Sequence, residues 1–494
     1  MELLLGLDIG SSAVKASLLD IASGSTISTG VSPQSEMAIS SPHPSWAEQD
    51  PELWWQHTVA AIQQAVQALP GSTWRVLAIG ISYQMHGLVV LDKQGVPLRP
   101  AIIWCDSRAV SIGEQALADL GHEIFSTSTL NAPGNFTAAK LAWVKQNEPA
   151  IYDQIDCFML PGDYIAYKLS GTKATTPCGL SEGILWNYSS NEVASIVTKY
   201  FGISEELIPP LVPNFAEQGR LSASVASLLG LESGTPISYR AGDQPNNAFS
   251  LKVLQPGEIA TTAGTSGVVY AVDDKPFVDS KNRVNSFLHV NTRPEALRLG
   301  VLFCLNGTGC SYSWLRRLLS GSSDISYETL NAFAAAIEPG AAGLKWYPFG
   351  NGAERLLENR APGARLDGLS FSTHSNKHVV RAVKEGIVFA LNQGIRVLEA
   401  GGIGLTKMRA GSANMFLSPL FRSMLTAVSN IPLELYNTDG AEGAARAAGI
   451  GAQIYVNEEE AFAGLTCVAE VEPDKELSKV YASLFSHWLE GVPR

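Results

Sequence analysis

The chain begins with an apolar run, Leu3-Leu4-Leu5-Gly6-Leu7-Asp8-Ile9, which breaks at Gly10-Ser11-Ser12 and resumes at Ala13-Val14-Lys15. This pattern predicts a strand, a tight turn and a second strand. A shadow of it returns at Ile259-Ala260-Thr261-Thr262-Ala263-Gly264-Thr265-Ser266-Gly267-Val268-Val269, with Gly10 and Gly264 254 positions apart in a chain of 494. Two copies at half-length spacing predict a duplicated domain with a cleft between the halves. Between the copies, Trp55, Val59, Ile62, Val66 and Leu69 recur at helical spacing until Pro70-Gly71. Residues 76–82 form a continuous apolar run, the mark of a strand buried on both faces. A helix is expected over 136–146, a strand over 155–160 and an inserted cap over 170–235. Pro256-Gly257 is the expected hinge, giving domains 1–254 and 255–494. Beyond it, Val380, Val383, Ile387, Leu391 and Leu398 define one stripe of a long helix ended by Gly401-Gly402. A short strand near Met408, a helix after 410–414, a strand over 433–436 and a small-residue helix over 442–449 complete an α/β alternation.

Composition narrows the function. The chain is 46% hydrophobic and 17% charged, with a net charge of −12 and no basic run. A large core is available, and the charge argues against nucleic-acid binding. An acidic protein that holds phosphate must do so with local donors and a metal ion. The six cysteines are scattered without a C-x-x-C pair, which disfavours a disulfide framework or zinc site and fits a reducing compartment. No apolar run reaches membrane-spanning length, so a soluble, cytoplasmic protein is expected.

Several residues are candidates for chemistry. Gly lets the backbone approach a ligand, and the N–H and O–H groups after it point donors at anionic oxygens. Gly10, Ser11 and Ser12, with Gly264 and Thr265, are therefore expected to grip a polyphosphate. Asp243 follows Gly242 at the end of a predicted strand, where α/β proteins bind ligands. It can act as general base toward a hydroxyl, or simply cap the next helix. Asp8 lies between apolar neighbours, and near phosphate it can hold Mg²⁺ through water. Lys15 either reaches a phosphate or covers surface. Met85 and His86, in Tyr83-Gln84-Met85-His86-Gly87, supply an adaptable apolar contact and hydroxyl-binding groups. Trp104 and Arg108, in Trp104-Cys105-Asp106-Ser107-Arg108, complete a polyol-binding rim. His374 and His378 have i, i+4 spacing but no evident third ligand, so a metal site there is not expected.

Taken together, Gly6 to Ser12 with Lys15, the Gln84-Met85-His86-Gly87 segment, Trp104 with Asp106 and Arg108, and Gly242-Asp243 resemble the FGGY carbohydrate kinases. Within that family, Gln84 to Gly87 and Ser45-Trp46-Ala47-Glu48-Gln49-Asp50-Pro51 look most like xylulokinases. Phe136-Thr137-Ala138-Ala139-Lys140-Leu141-Ala142-Trp143 is similar to the family's first signature, and residues 363–386 are similar to its second. The resemblance implies two actin-like, ribonuclease H-like domains facing each other over a cleft. It implies ATP-dependent phosphorylation of a ketose, D-xylulose on its 5-hydroxyl. The sugar would lie on the amino-terminal domain and ATP mostly on the carboxy-terminal one. Asp243 is implied as the base, Met85 and His86 as sugar contacts, and Asp8 as the group at the metal-phosphate end. Gly264 and Thr265 would touch phosphate. Gly411 and Asn414 would form the adenosine turn, with Gly307 and Thr308 beside it.

Three positions depart from the family pattern. Gln244 follows the base, where it could donate to a sugar hydroxyl. Ala410 replaces a usual Gly in the adenosine turn. Lys384 stands where the second signature is apolar and is expected on a helix surface. Ribulose, glycerol and a sugar-independent actin-like ATPase are the rival readings; Met85-His86 argues against glycerol, because related glycerol kinases carry a charged pair there. A homodimer is admitted; no nucleic-acid or membrane partner is expected.

Overall fold

The computed structural model describes residues 1–71, 73–321, 324–357, 360 and 362–493. They fall into two units: one from the described residues of Met1–Lys252, Phe287–Leu299 and Thr438–Leu465, the other from those of Val253–Ser286, Gly300–Asn437 and the stretch from Thr466. The sequence places a single boundary at 254/255; the chain instead leaves the first unit at Lys252 and returns to it twice.

The first unit is built on strands β1 (Glu2–Ile9), β2 (Val14–Asp20), β3 (Thr26–Ser32), β4 (Arg75–Tyr83), β5 (Phe215–Arg220) and β6 (Pro236–Gly242). Their order across the sheet is β5-β6-β4-β1-β2-β3. β1 pairs antiparallel with β2 and parallel with β4, and β6 pairs parallel with β4. The opening hairpin is thus present, with Gly10 N–H donating to the Ala13 carbonyl across the turn (3.0 Å). The run at 76–82 is β4, buried along nearly its whole length as a central parallel strand requires. The expected cap over 170–235 is not wholly an insertion, because β5 joins the main sheet beside β6.

The first helix, Pro51–Gln67, starts where the sequence offers a start signal: Asp50 accepts the N–H of Glu52 (2.9 Å), and Pro51 occupies the first turn. It buries Trp54, Ile62 and Ala65 against the sheet. The helix Gly440–Gly451 packs even closer. A methyl placed on Gly6 would overlap the carbonyl oxygen of Ala441, and one on Gly80 would overlap that of Ala444. The small residues of this helix, which in the sequence already point to close packing on a neighbour, bring its backbone onto β1 and β4.

The second unit repeats the plan. Among its strands are β7 (Glu258–Ala263), β8 (Gly267–Asp273), β9 (Leu299–Leu305), β10 (Lys407–Gly411), β11 (Leu433–Tyr436) and β12 (Cys467–Val471), running β9-β8-β7-β10-β11-β12 within a seven-stranded sheet. β7 pairs antiparallel with β8 and parallel with β10, and β10 pairs parallel with β11. A hairpin at one side and parallel strands at the other recur in both units, so the repeated pattern in the sequence is a repeated topology.

The long helix Asn376–Ala400 lies inside the second unit, buried on most sides. Lys384 is accordingly not a surface residue, contrary to the expectation. It is fully buried, and its Nζ donates to Asn331 Oδ1 (2.5 Å) and Ser418 Oγ (2.7 Å). Burial, with Arg381 nearby, pushes its ammonium down to about 7.

The helix-on-sheet contact predicts a stability effect. Gly80→Ala forces a methyl against backbone that cannot rotate away, and overpacking of this kind costs about 1–3 kcal/mol. Urea unfolding should show that loss, while an unchanged midpoint would contradict the close approach.

Candidate active site

Three carboxylates gather at one end of the first sheet. Asp8 lies near the end of β1, and register places it opposite Lys15 on β2 and beside Ser82 on β4. Opposed residues share a face. Ser82 Oγ donates to Asp8 Oδ1 (2.9 Å), and Lys15 reaches past Asp8 to form an ion pair with Asp439. Asp439 caps the helix Gly440–Gly451, accepting the N–H of Glu442 (3.0 Å). A side chain at 440 would collide with the Asp8 carboxylate, so Gly440 lets the helix start, with its exposed N–H groups, sit against that charge. Burial and the charge of Asp439 raise Asp8 above the ordinary carboxylate range, with Ser82 and Lys15 pulling the other way.

Asp243 begins the helix Asp243–Ser250 directly after β6. Gly242 occupies the cap position, and the Asp243 carboxylate, at the first helical residue, accepts backbone N–H groups of that first turn. Burial, then repulsion from Asp8, push Asp243 up to about 7, against the lowering effect of hydrogen bonds from the Gln244 backbone and side chain. Gln244 is thereby turned to Asp243. A carboxyl group that gains and loses its proton near neutrality suits proton transfer.

The loop after β4 presents Met85 and His86 beside this pair. A methyl on Gly242 would run into Met85, which places the thioether against the end of β6. His86 adopts a left-handed backbone (φ 61°). Its N–H donates to Glu182 Oε1 (3.2 Å), its Nδ1 lies 3.0 Å from the Glu182 carbonyl, and its ring meets Phe136 and Phe287. Glu182 ends the helix Pro177–Glu182 and is held well above the usual range by burial and the neighbouring Asp243 and Asp163 charges. Trp104 is 43% exposed, and its Nε1 donates to Ser11 Oγ (3.3 Å). The indole thus stands over the first turn as an open apolar plate.

Arg108 faces inward rather than onto this rim. Its guanidinium binds both oxygens of Asp106, pairs with Glu48 (2.8 Å) and lies 3.8 Å from the centre of the Trp46 ring. Its observed role is to lock the Trp104–Arg108 loop to the segment before the first helix, where Asp106 also accepts the Ala47 N–H (2.6 Å).

In the second unit, the turn between β7 and β8 meets the segment after β9. Gly309 N–H donates to the Gly264 carbonyl (2.8 Å), Cys310 N–H to Thr265 (3.1 Å), and Thr308 Oγ1 lies within reach of both carbonyls (3.0 and 3.2 Å). Gly307 is required by close approach to the Pro348 carbonyl. Asn414, with φ 52°, lies over Gly264 just beyond Gly411 at the end of β10. Gly264, Thr265, Gly307, Thr308 and Asn414 are therefore neighbours, although Thr308 has its hydroxyl committed to backbone and serves as a brace. Among the described residues no group of three or more His, Cys, Asp or Glu side chains is arranged to hold a metal, and no helix is long and apolar enough to cross a membrane.

Glu182, Asp439 and Lys140, whose Nζ donates to the His86 carbonyl (2.8 Å), are neighbours of the candidate residues that the sequence motifs do not single out for chemistry. Lys140 lay in a recognised signature, and Asp439 precedes a small-residue helix as a cap residue does. Glu182 carried no local signal, since only the fold brings it to His86.

The doubled sheet plan, with carboxylates at strand ends, defines an actin-like, ribonuclease H-like ATPase fold. The chain belongs to the FGGY family of carbohydrate kinases: residues 3–250 match that family's N-terminal domain. It is 31% identical to the xylulose kinase of Escherichia coli strain K12, over 93% of this chain and 91% of that protein. It is 29% identical to the xylulose kinase of Staphylococcus epidermidis, over 98% of this chain and 95% of that one. The solved xylulose kinase from Rhodospirillum rubrum superposes with a TM-score of 0.86 at 26% identity, covering 99% of this chain and 98% of that chain.

The coupling of the two carboxylates can be measured. Asp8 raises Asp243 by repelling its charged form, so Asp8→Asn should lower the Asp243 pKa, leaving the part due to burial. Carboxyl-detected NMR titration reads this directly, and an unchanged midpoint would contradict the coupling.

Proposed function

We infer that this protein is an ATP-dependent ketose kinase that converts D-xylulose to D-xylulose 5-phosphate. The full-length similarity to xylulose kinases supports this reading, and alternatives among glycerol kinases and sugar-independent ATPases gain nothing from the site. The observation that carries the mechanism is Asp243, a carboxyl group pushed up to about 7 beside Asp8 at the end of a central strand.

In this reading Asp243 accepts the proton of the sugar 5-hydroxyl as its oxygen forms a bond to the γ-phosphorus. The bond from that phosphorus to the bridging oxygen breaks, and ADP leaves with the electron pair. Placement of the hydroxyl supplies much of the rate, since phosphoryl transfer is largely positioning and charge stabilisation. Met85, His86 and Trp104 form the ketose wall. Gln244 orients the Asp243 carboxylate and can share a hydrogen bond with a hydroxyl. Arg108 supports the wall from behind.

The Gly10–Ser12 turn and Lys15 of the first unit are read as phosphate contacts, as are Gly264 and Thr265 of the second, with Gly307 and Thr308 shaping that turn and Gly411 and Asn414 as adenosine contacts. The donor set at Asp8 and Asp439 suits Mg²⁺, which favours one or two carboxylates with retained waters over an all-protein cage. Asp8 would hold it through water, and the ion would offset phosphate charge. A cytoplasmic location accords with six scattered cysteines that include no C-x-x-C pair.

A coupled ADP-release assay over D-xylulose, L-xylulose, ribulose and glycerol tests the substrate. D-Xylulose should give the highest kcat/KM, and ATP hydrolysis indifferent to added sugar would overturn the kinase reading. Asp243→Ala should lower kcat by about 10²–10⁴-fold, the usual worth of a general base, while ADP affinity by calorimetry stays near that of the unaltered protein. Undiminished turnover in that variant would refute the base.

A further inference from the structure

Beneath the proposed ketose wall lies a lysine that the reaction does not use. Lys140 sits in the helix Thr137–Asn147, is fully buried, and donates from Nζ to the carbonyl oxygens of His86 (2.8 Å) and Ile103 (3.0 Å). His86 belongs to the loop after β4, and Ile103 immediately precedes Trp104. One ammonium therefore ties together the two loops that carry the wall.

Packing does not account for a lysine here. Methionine would fill a similar volume without the cost of placing an ammonium in the interior. The two backbone carbonyls account for it: the His86 carbonyl accepts from Lys140, and the Ile103 carbonyl, which also accepts the Asp106 N–H (3.1 Å), is its second acceptor. On the other side of His86, Glu182 accepts the residue's N–H (3.2 Å), and its carbonyl lies 3.0 Å from Nδ1. His86 is thus gripped at N–H, ring and carbonyl while its backbone holds a left-handed conformation (φ 61°) that histidine adopts infrequently.

We propose that Lys140 is a positioning residue for sugar recognition: with Glu182 it clamps His86 from both sides and couples that loop to the Trp104 loop, fixing the shape of the ketose wall. This rests on the reading of His86 as a ketose contact. The clamp acts on D-xylulose binding and leaves nucleotide binding to other residues.

A double-mutant cycle of Lys140→Met and His86→Ala, read as KM for D-xylulose and for ATP, tests it. Each single change should raise KM for D-xylulose by about tenfold or more and leave KM for ATP within about twofold, and the double variant should be no worse than about the worse single. Losses that multiply in the double variant would overturn the clamp, because Lys140 would then act independently of His86. If His86→Ala leaves D-xylulose kinetics unaltered, His86 is not a ketose contact and the underlying reading fails. If His86→Ala is impaired and Lys140→Met is not, the clamp alone fails. Should Lys140→Met not fold, Glu182→Gln and Glu182→Leu decide the matter. Glutamine keeps an oxygen for the His86 N–H, so leucine should raise KM for D-xylulose about fivefold more than glutamine, and equal values would overturn the proposal.

Discussion

Two carboxylates confined at the ends of β1 and β6, parallel strands on either side of β4, are the constraint around which the first unit is arranged. Asp8 and Asp243 repel each other in partial burial, a situation that persists only if the surrounding structure over-determines it. Several features do so. Ser82 bonds Asp8 from β4, Lys15 stands across the hairpin, and a helix start lies against the Asp8 carboxylate with glycine as its first residue. That helix comes so close because Gly6 and Gly80 offer no side chain to its backbone. The proton affinity of Asp243 follows from its burial and from the Asp8 charge that this packing holds in place.

The second unit uses the same sheet plan for a different end. Its turn at Gly264-Thr265 carries no carboxylate, and its carbonyls are drawn into bonds with the segment 308–310. That leaves the turn rigid and close to Asn414, a fitting ground for a nucleotide phosphate in the proposed reading. The two hairpins thus differ in what they carry: the first has Asp8 and Lys15 facing each other across it, the second backbone and small side chains at Gly264-Thr265.

Much of this was legible in the chain because it depends on local pattern. The repeated hairpin, the buried strand at 76–82, and Asp243 after a strand each announce themselves within ten or so residues. What failed depended on contacts between distant segments. The segments Phe287–Leu299 and Thr438–Leu465 return to the first unit, which no composition shift marks. Lys384, a charged residue where the second signature is apolar, reads as a surface position, yet its helix is enclosed on nearly every side, so its polar positions also lie inside. Arg108 was placed on the rim by proximity to Trp104, whereas Asp106 and Glu48 draw it inward. Glu182 reaches His86 across 96 positions, a distance no motif spans.

The central claim is that a carboxyl group poised near neutrality deprotonates the sugar. The pH dependence of kcat/KM for D-xylulose between about pH 5 and 9 tests it most directly, because that parameter reports the free enzyme's essential base. The account predicts a rate that climbs with pH and levels off past a midpoint near 7, set by Asp243. A profile already flat from the acid end of that range would contradict it.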